Sequence, residues 1–305
     1  MTPRRRLLVA LATACALTAA AVPAHAGSAK PRFSEYVALG DSWSADVTVL
    51  NVATAHAPSG CAQSTWNYPK QVAQKLGVTT FRDATCGAAT TVHLTASQDV
   101  NRVPGLADGV NDPQFDRLTP TTDLVTMGMG GNDVGLAAAI GDCVSLLPTP
   151  LAKPCRAAWE SGGKDLMSKR IREAQPKIVA AVDGIQRRSP RATVLVVDYL
   201  AGISPDSGCF PYVQMLDADL RWFGARLVEL NAMLRRAAGE SGAGFVDTYR
   251  SSVGHDVCRA PGVKWVEGLV PVTTNPPGLA VPFHPNKLGA DHQAREVLAA
   301  VGSGS

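Results

Sequence analysis

Tyr36-Val37-Ala38-Leu39-Gly40-Asp41-Ser42-Trp43-Ser44 is the stretch on which the fold turns. Residues 36–39 form an unbroken run of apolar and β-favouring side chains and Gly40 stops the run, which predicts a buried strand leaving into a turn. Ser42 follows directly. A strand that turns into a helix presents such a hydroxyl at the carboxyl edge of a sheet, beside helix-end N–H groups able to hold negative charge. The same position suits a helix N-cap, so more distant residues must decide between structure and chemistry.

Toward the N-terminus, residues 1–26 carry Arg4-Arg5-Arg6, an apolar run over 7–22, and Ala24-His25-Ala26. That order is the one of a secretory signal peptide cut after Ala26, and the arginines leave both export routes open. Cys15 lacks the leucine of a lipoprotein box, so no lipid anchor is expected. No second apolar run reaches the roughly 18 residues of a membrane span, so a secreted chain without integral membrane contact is expected. Removing the three arginines of the signal from 29 basic residues leaves 26 against 26 acidic ones. A neutral chain lacks the electrostatic footprint of a nucleic-acid binder. Residues 27–305 suffice for one α/β domain, expected to be a monomer.

Apart from Cys15 there are six cysteines, Cys61, Cys86, Cys143, Cys155, Cys209 and Cys258. An even number in an exported chain predicts disulfides, with 15 connectivities open. No two are close enough for a zinc motif, and neither a metal nor a cofactor is expected.

Downstream, helical spacing appears over 66–76 and a short strand over 80–84, leading into Cys86-Gly87-Ala88-Ala89. A third strand over 123–127 runs into Gly128-Met129-Gly130-Gly131-Asn132-Asp133-Val134-Gly135. That run lacks the lysine of a phosphate loop and instead predicts a sharp turn holding a polar pair. Residues 164–188 are helix-like, with Pro176 placed to start a second part. Strand 191–199, helix 218–238, strand 244–247 and helix 287–301 complete an alternating pattern, which predicts a parallel sheet covered on both faces. Residues 254–285 are irregular yet apolar, and Trp265, Leu269, Val270, Val272, Leu279 and Phe283 are expected to line a substrate surface. His255 suits a structural role, and His56, His93 and His292 are expected at the surface.

Ser42, Asn132 and His284 each adjoin an element that places them at one sheet edge, supplying a nucleophile, an oxyanion donor and an imidazole base. Gly40-Asp41-Ser42, the turn at Gly87, Gly131-Asn132-Asp133 and His284-Pro285, taken in order, resemble the four blocks of the SGNH (GDSL) hydrolases. The flanking text is similar to the secreted lipases and esterases of actinomycetes. The resemblance implies a three-layer α/β/α sandwich with a five-stranded parallel, flavodoxin-like sheet. It implies a secreted serine esterase or lipase working through an acyl-enzyme on a small-molecule or lipid ester. A carbohydrate acetylesterase and a non-catalytic binding module on the same fold are the alternatives. It implies Ser42 as nucleophile, His284 as base, and an oxyanion hole of the Ser42 N–H, Gly87 or Ala88, and the Asn132 amide. It further implies the pairs Cys61–Cys86, Cys143–Cys155 and Cys209–Cys258.

Two departures from the pattern carry expectations of their own. Block two reads Cys86-Gly87-Ala88 where relatives have Cys-x-Gly, so Ala88 can donate if its φ is negative, and otherwise the turn must shift by one residue. The usual aspartate three residues before the histidine is Val281, whose backbone carbonyl is the expected partner of the ring. A carbonyl fixes the tautomer without supplying charge. Asp256 and Asp291 are the remaining carboxylate candidates.

Overall fold

The computed structural model describes residues 32–100, 106–144, 151, 153–272 and 280–303. The expected signal peptide, Cys15 and Leu279 lie outside them.

Five parallel strands form the sheet: β1 (Glu35–Gly40), β2 (Thr80–Asp83), β3 (Leu124–Gly128), β4 (Thr193–Val197) and β5 (Gly244–Val246), in the order β2-β1-β3-β4-β5. This is the doubly wound order in which the chain reverses direction between β1 and β3, and the crevice beyond the carboxyl ends of those two strands is where ligands bind. Six α-helices accompany it among the described residues: α1 (Ser42–Ala45), α2 (Tyr68–Leu76), α3 (Leu136–Cys143), α4 (Leu166–Arg188), α5 (Asp217–Glu240) and α6 (Lys287–Ser303).

The side-chain alternation of the strands divides the core. Val37, Leu39, Val125, Met127 and Val196 face a layer of α4 and α5, where Ile171, Ile178, Phe223 and Leu230 fall on the inward stripe. Tyr36, Ala38, Leu124 and Leu195 face α2 and α6, packing with Tyr68, Val72 and Val297. The expected three-layer sandwich is thus the observed one. Pro176 differs from expectation. It lies within α4 rather than opening a second helix. The proline forfeits one backbone bond, and burial of Ile171, Ala174, Ile178 and Val182 on both sides of it holds the helix continuous.

Disulfides join Cys61 to Cys86, Cys143 to Cys155 and Cys209 to Cys258. The irregular tail corrects another expectation. Trp265 stacks on His255 at 3.7 Å and tilts against His292 at 4.5 Å, so it does not line the cleft. His292 is buried, its Nε2 lying 3.0 Å from the Thr248 carbonyl, because α6 turns that face inward. Among the described residues no helix is long and apolar enough to cross a membrane.

Candidate active site

The turn after β1 is packed too closely for any side chain at Gly40, where a Cβ would lie 2.5 Å from Ser44 Oγ and 2.7 Å from the Gly128 carbonyl. Ser44 Oγ bonds that same carbonyl at 3.1 Å. Gln114, distant in sequence, bonds both the N–H and the C=O of Gly40 at 2.8 and 2.9 Å. With the strand end fixed in this way, Asp41 caps α1 by accepting the Trp43 N–H, and Ser42 becomes the first residue of the helix. Ser42 is therefore not the N-cap that its sequence position also allowed.

Ser42 Oγ lies 2.8 Å from His284 Nε2. On the other side of the ring, Nδ1 is 2.8 Å from the Pro282 carbonyl. A carbonyl only accepts, so Nδ1 carries the proton and Nε2 presents a lone pair to the hydroxyl. The acceptor is one residue away from the Val281 carbonyl expected from sequence. The Val281 carbonyl takes the His284 backbone N–H at 3.1 Å. Phe283, at φ +59°, folds the chain back so that the Pro282 carbonyl meets the ring. Loss of solvation lowers the His284 pKa to about 4, against the opposing pull of the Pro282 and Val281 carbonyls. The imidazole is therefore neutral near pH 7.

Neither alternative carboxylate reaches the ring. Asp291 is bonded to Lys287 Nζ at 2.7 Å, and Asp256 accepts the Cys258 N–H at 2.9 Å and lies 3.2 Å from Arg259 Nε.

In the second block the two candidate N–H groups differ in their partners. The Gly87 N–H is occupied by the Cys61 carbonyl at 2.9 Å. Ala88 has φ +61°, so the expectation that alanine requires a negative φ is not met. The Cys61–Cys86 bond, the Gly87 contact and the Ala89 N–H bonded to the Cys86 carbonyl at 3.2 Å impose the left-handed residue on an alanine. Among the described residues, the N–H groups of Ser42 and Ala88 have no acceptor. Asn132 donates one amide hydrogen to the Ala89 carbonyl at 2.9 Å and keeps a second. Its neighbour Asp133 accepts the Thr91 N–H at 3.0 Å, tying the third block to the second.

Ser42, Asn132 and His284 sit where two cavities meet. One, of about 100 Å³, lies against Trp43, Leu136, Ile140 and Phe283. The other, of about 170 Å³, runs along Val47, Ala62, Val100 and Val281 and includes Gly87 and Ala88. Their walls are mainly apolar. No group of three or more His, Cys, Asp or Glu side chains among the described residues is placed to hold a metal ion.

Residues 38–292, which span the Ser42 turn and the His284 loop, match the family described as GDSL-like lipase/acylhydrolase. The chain belongs to this GDSL-like family. It is 35% identical to Lipase 2 of Streptomyces coelicolor over 95% of this chain and 92% of that protein. It is 26% identical to an esterase of Streptomyces scabiei over 96% and 93%. The phospholipase A1 of Streptomyces albidoflavus shares the fold with a TM-score of 0.64 at 21% identity, over 90% of this chain and all of that one. Membership makes this GDSL-like chain a carboxylic ester hydrolase of the lipase/esterase kind.

The sequence of this GDSL-like hydrolase gave no sign of one central residue. Tyr199 ends the segment that contains β4, and its hydroxyl lies 2.5 Å from Asp41 Oδ2 and accepts the Gly131 N–H at 2.7 Å. A phenol at a strand end was the available signal, and nothing local says which turns it joins. Burial raises the Asp41 pKa to about 7, opposed first by the hydrogen bond from Tyr199.

Proposed function

We propose that the enzyme cleaves acyl esters by attack of Ser42, with His284 as general base and then general acid. The observation that carries this reading is the 2.8 Å contact between Ser42 Oγ and His284 Nε2. Ser42 Oγ bonds to the ester carbonyl carbon while its proton passes to Nε2. The oxyanion draws on the N–H groups of Ser42 and Ala88 and the amide of Asn132. Collapse breaks the carbonyl–alkoxy bond, Nε2 returns the proton to the departing alcohol, and an acyl-serine is left. Water repeats the sequence and frees the acid.

The apolar walls of both cavities favour an acyl or lipid ester over an acetylated carbohydrate, whose hydroxyls call for a more polar groove. The lipase, esterase and phospholipase names of the similar proteins agree with that substrate class. Export to an oxidising compartment accords with the signal-like residues 1–26 and three disulfides.

The test is covalent labelling by a fluorophosphonate combined with turnover of nitrophenyl esters from acetate to palmitate. Ser42→Ala is expected to lose both, and full ester hydrolysis by that variant rejects the mechanism.

A further inference from the structure

Lys264 and Glu267 are each about 1% exposed, with Nζ and Oε2 3.0 Å apart. Taking two charges out of water is costly, and a buried pair is weak evidence for stability; fixing a geometry is one recognised use for it. The Glu267 carboxylate also receives the Asn286 side-chain amide at 2.8 Å and the Val272 N–H at 3.2 Å. The same Asn286 amide group donates to the Lys264 carbonyl at 3.0 Å. The ion pair therefore grips a residue only two positions beyond His284.

Backbone bonds extend the grip on both sides of the histidine. The Glu267 N–H donates to the His284 carbonyl at 3.0 Å, the Phe283 N–H to the Glu267 carbonyl at 3.0 Å, and the Asn286 N–H to the Trp265 carbonyl at 2.9 Å. Val266 and Pro285 pair antiparallel between them. Residues 265–267 thus lie as a splint along 283–286. The splint bears on chemistry because of Phe283, whose φ of +59° is a conformation that bulky residues hold only where the surroundings over-determine it. That turn brings the Pro282 carbonyl to the imidazole. An acceptor on the backbone moves with the backbone, so the ring is only as well oriented as its loop.

We infer that Glu267, paired with Lys264 and bonded to Asn286, is the positioning carboxylate of this enzyme, holding the histidine loop rather than the histidine ring. The inference rests on the catalytic reading of Ser42 and His284. An aspartate bonded to imidazole supplies orientation and charge together. Here orientation is delegated to a carboxylate that acts through the chain, and its charge is spent on Lys264.

The test uses the full chain, with steady-state kinetics on a nitrophenyl ester and the rate of fluorophosphonate labelling, at temperatures where circular dichroism shows each variant folded. Glu267→Gln and Asn286→Ser are each expected to lower kcat about 10- to 100-fold, since small misplacements of a reacting group cost that much. Labelling should slow in proportion while KM stays unchanged. Asn286→Ser keeps a hydroxyl to cap α6, so it decides the matter if Glu267→Gln strands Lys264 and fails to fold. Folded variants with lower melting temperatures but wild-type kcat and labelling rate overturn the inference. Ser42→Ala, run in parallel, separates the two readings. Activity there rejects the catalytic serine, whereas an inactive Ser42→Ala beside fully active Glu267 and Asn286 variants rejects only the positioning role.

Discussion

Tyr199 donates its phenolic hydrogen to Asp41 Oδ2 across 2.5 Å, and the phenolic oxygen itself receives the Gly131 N–H at 2.7 Å. One atom thereby joins the turn after β1, which carries Ser42, to the turn after β3, which carries Asn132. Tyr199→Phe leaves the Gly131 N–H buried without its acceptor, a loss of about 1–3 kcal/mol of stability. Loosening of the two turns should lower kcat by about tenfold with little change in KM. Thermal melts and steady-state kinetics check both. A kcat equal to wild type would show that the turns keep their register without the phenol.

The acid limb of kcat/KM should fall unusually low. His284 works as a base only when neutral, and its pKa is lowered from 6.5 to about 4 by burial. Activity should therefore rise with pH through about 4 and be level by pH 6. A titration of kcat/KM from pH 3.5 to 8 reads this directly. A midpoint near 6.5 would mean that the ring is solvated in the working enzyme.

Asp41 predicts a stability trend of opposite sign to that of a salt-bridged carboxylate. Its pKa is raised from 3.8 to about 7, chiefly by burial, so the folded chain binds a proton that the unfolded chain has released between those values. The contribution is fully present below pH 4 and is lost as pH rises through 7. Asp41→Asn cannot ionise. Its unfolding free energy relative to wild type should therefore improve from pH 5 to pH 8, as urea melts at several pH values would reveal. A constant difference would place the Asp41 pKa near its ordinary value.

The two proposed oxyanion donors that are not on Ser42 should respond differently. Asn132→Ala removes a side-chain donor and is expected to cost about 10²–10³ in kcat. Ala88→Gly keeps the N–H and relieves a left-handed alanine, so kcat should hold while stability rises by about 0.5–1 kcal/mol. Kinetics and melting curves on the two variants test this together. A large loss of kcat in Ala88→Gly would mean that the methyl group itself shapes the cavity.

Much of this architecture could be read from the chain because periodicity reports burial. The runs at 36–39, 123–127 and 191–199 are apolar on both sides, as strands between two helical layers must be. The order of blocks placed Ser42, Asn132 and His284 at one edge. What escaped was decided by long-range geometry. Gln114 reaches Gly40 and Tyr199 reaches Asp41 across gaps that carry no periodic signal. The shift from Val281 to Pro282 follows from the left-handed turn at Phe283, a residue type that gives no hint of positive φ. Trp265 reads as part of a substrate-lining tail and His292 as a surface residue of the last helix, and only the packing of α6 shows the two rings tilted against each other.

Cys86 stands two residues before the free N–H of Ala88, and its bonded partner Cys61 supplies the carbonyl that occupies Gly87. The loop proposed to receive negative charge is consequently shaped by a thiol oxidation. Reduction of that single bond is therefore expected to reach a backbone amide two residues away, through chain that no side chain of the Ser42–His284 pair touches.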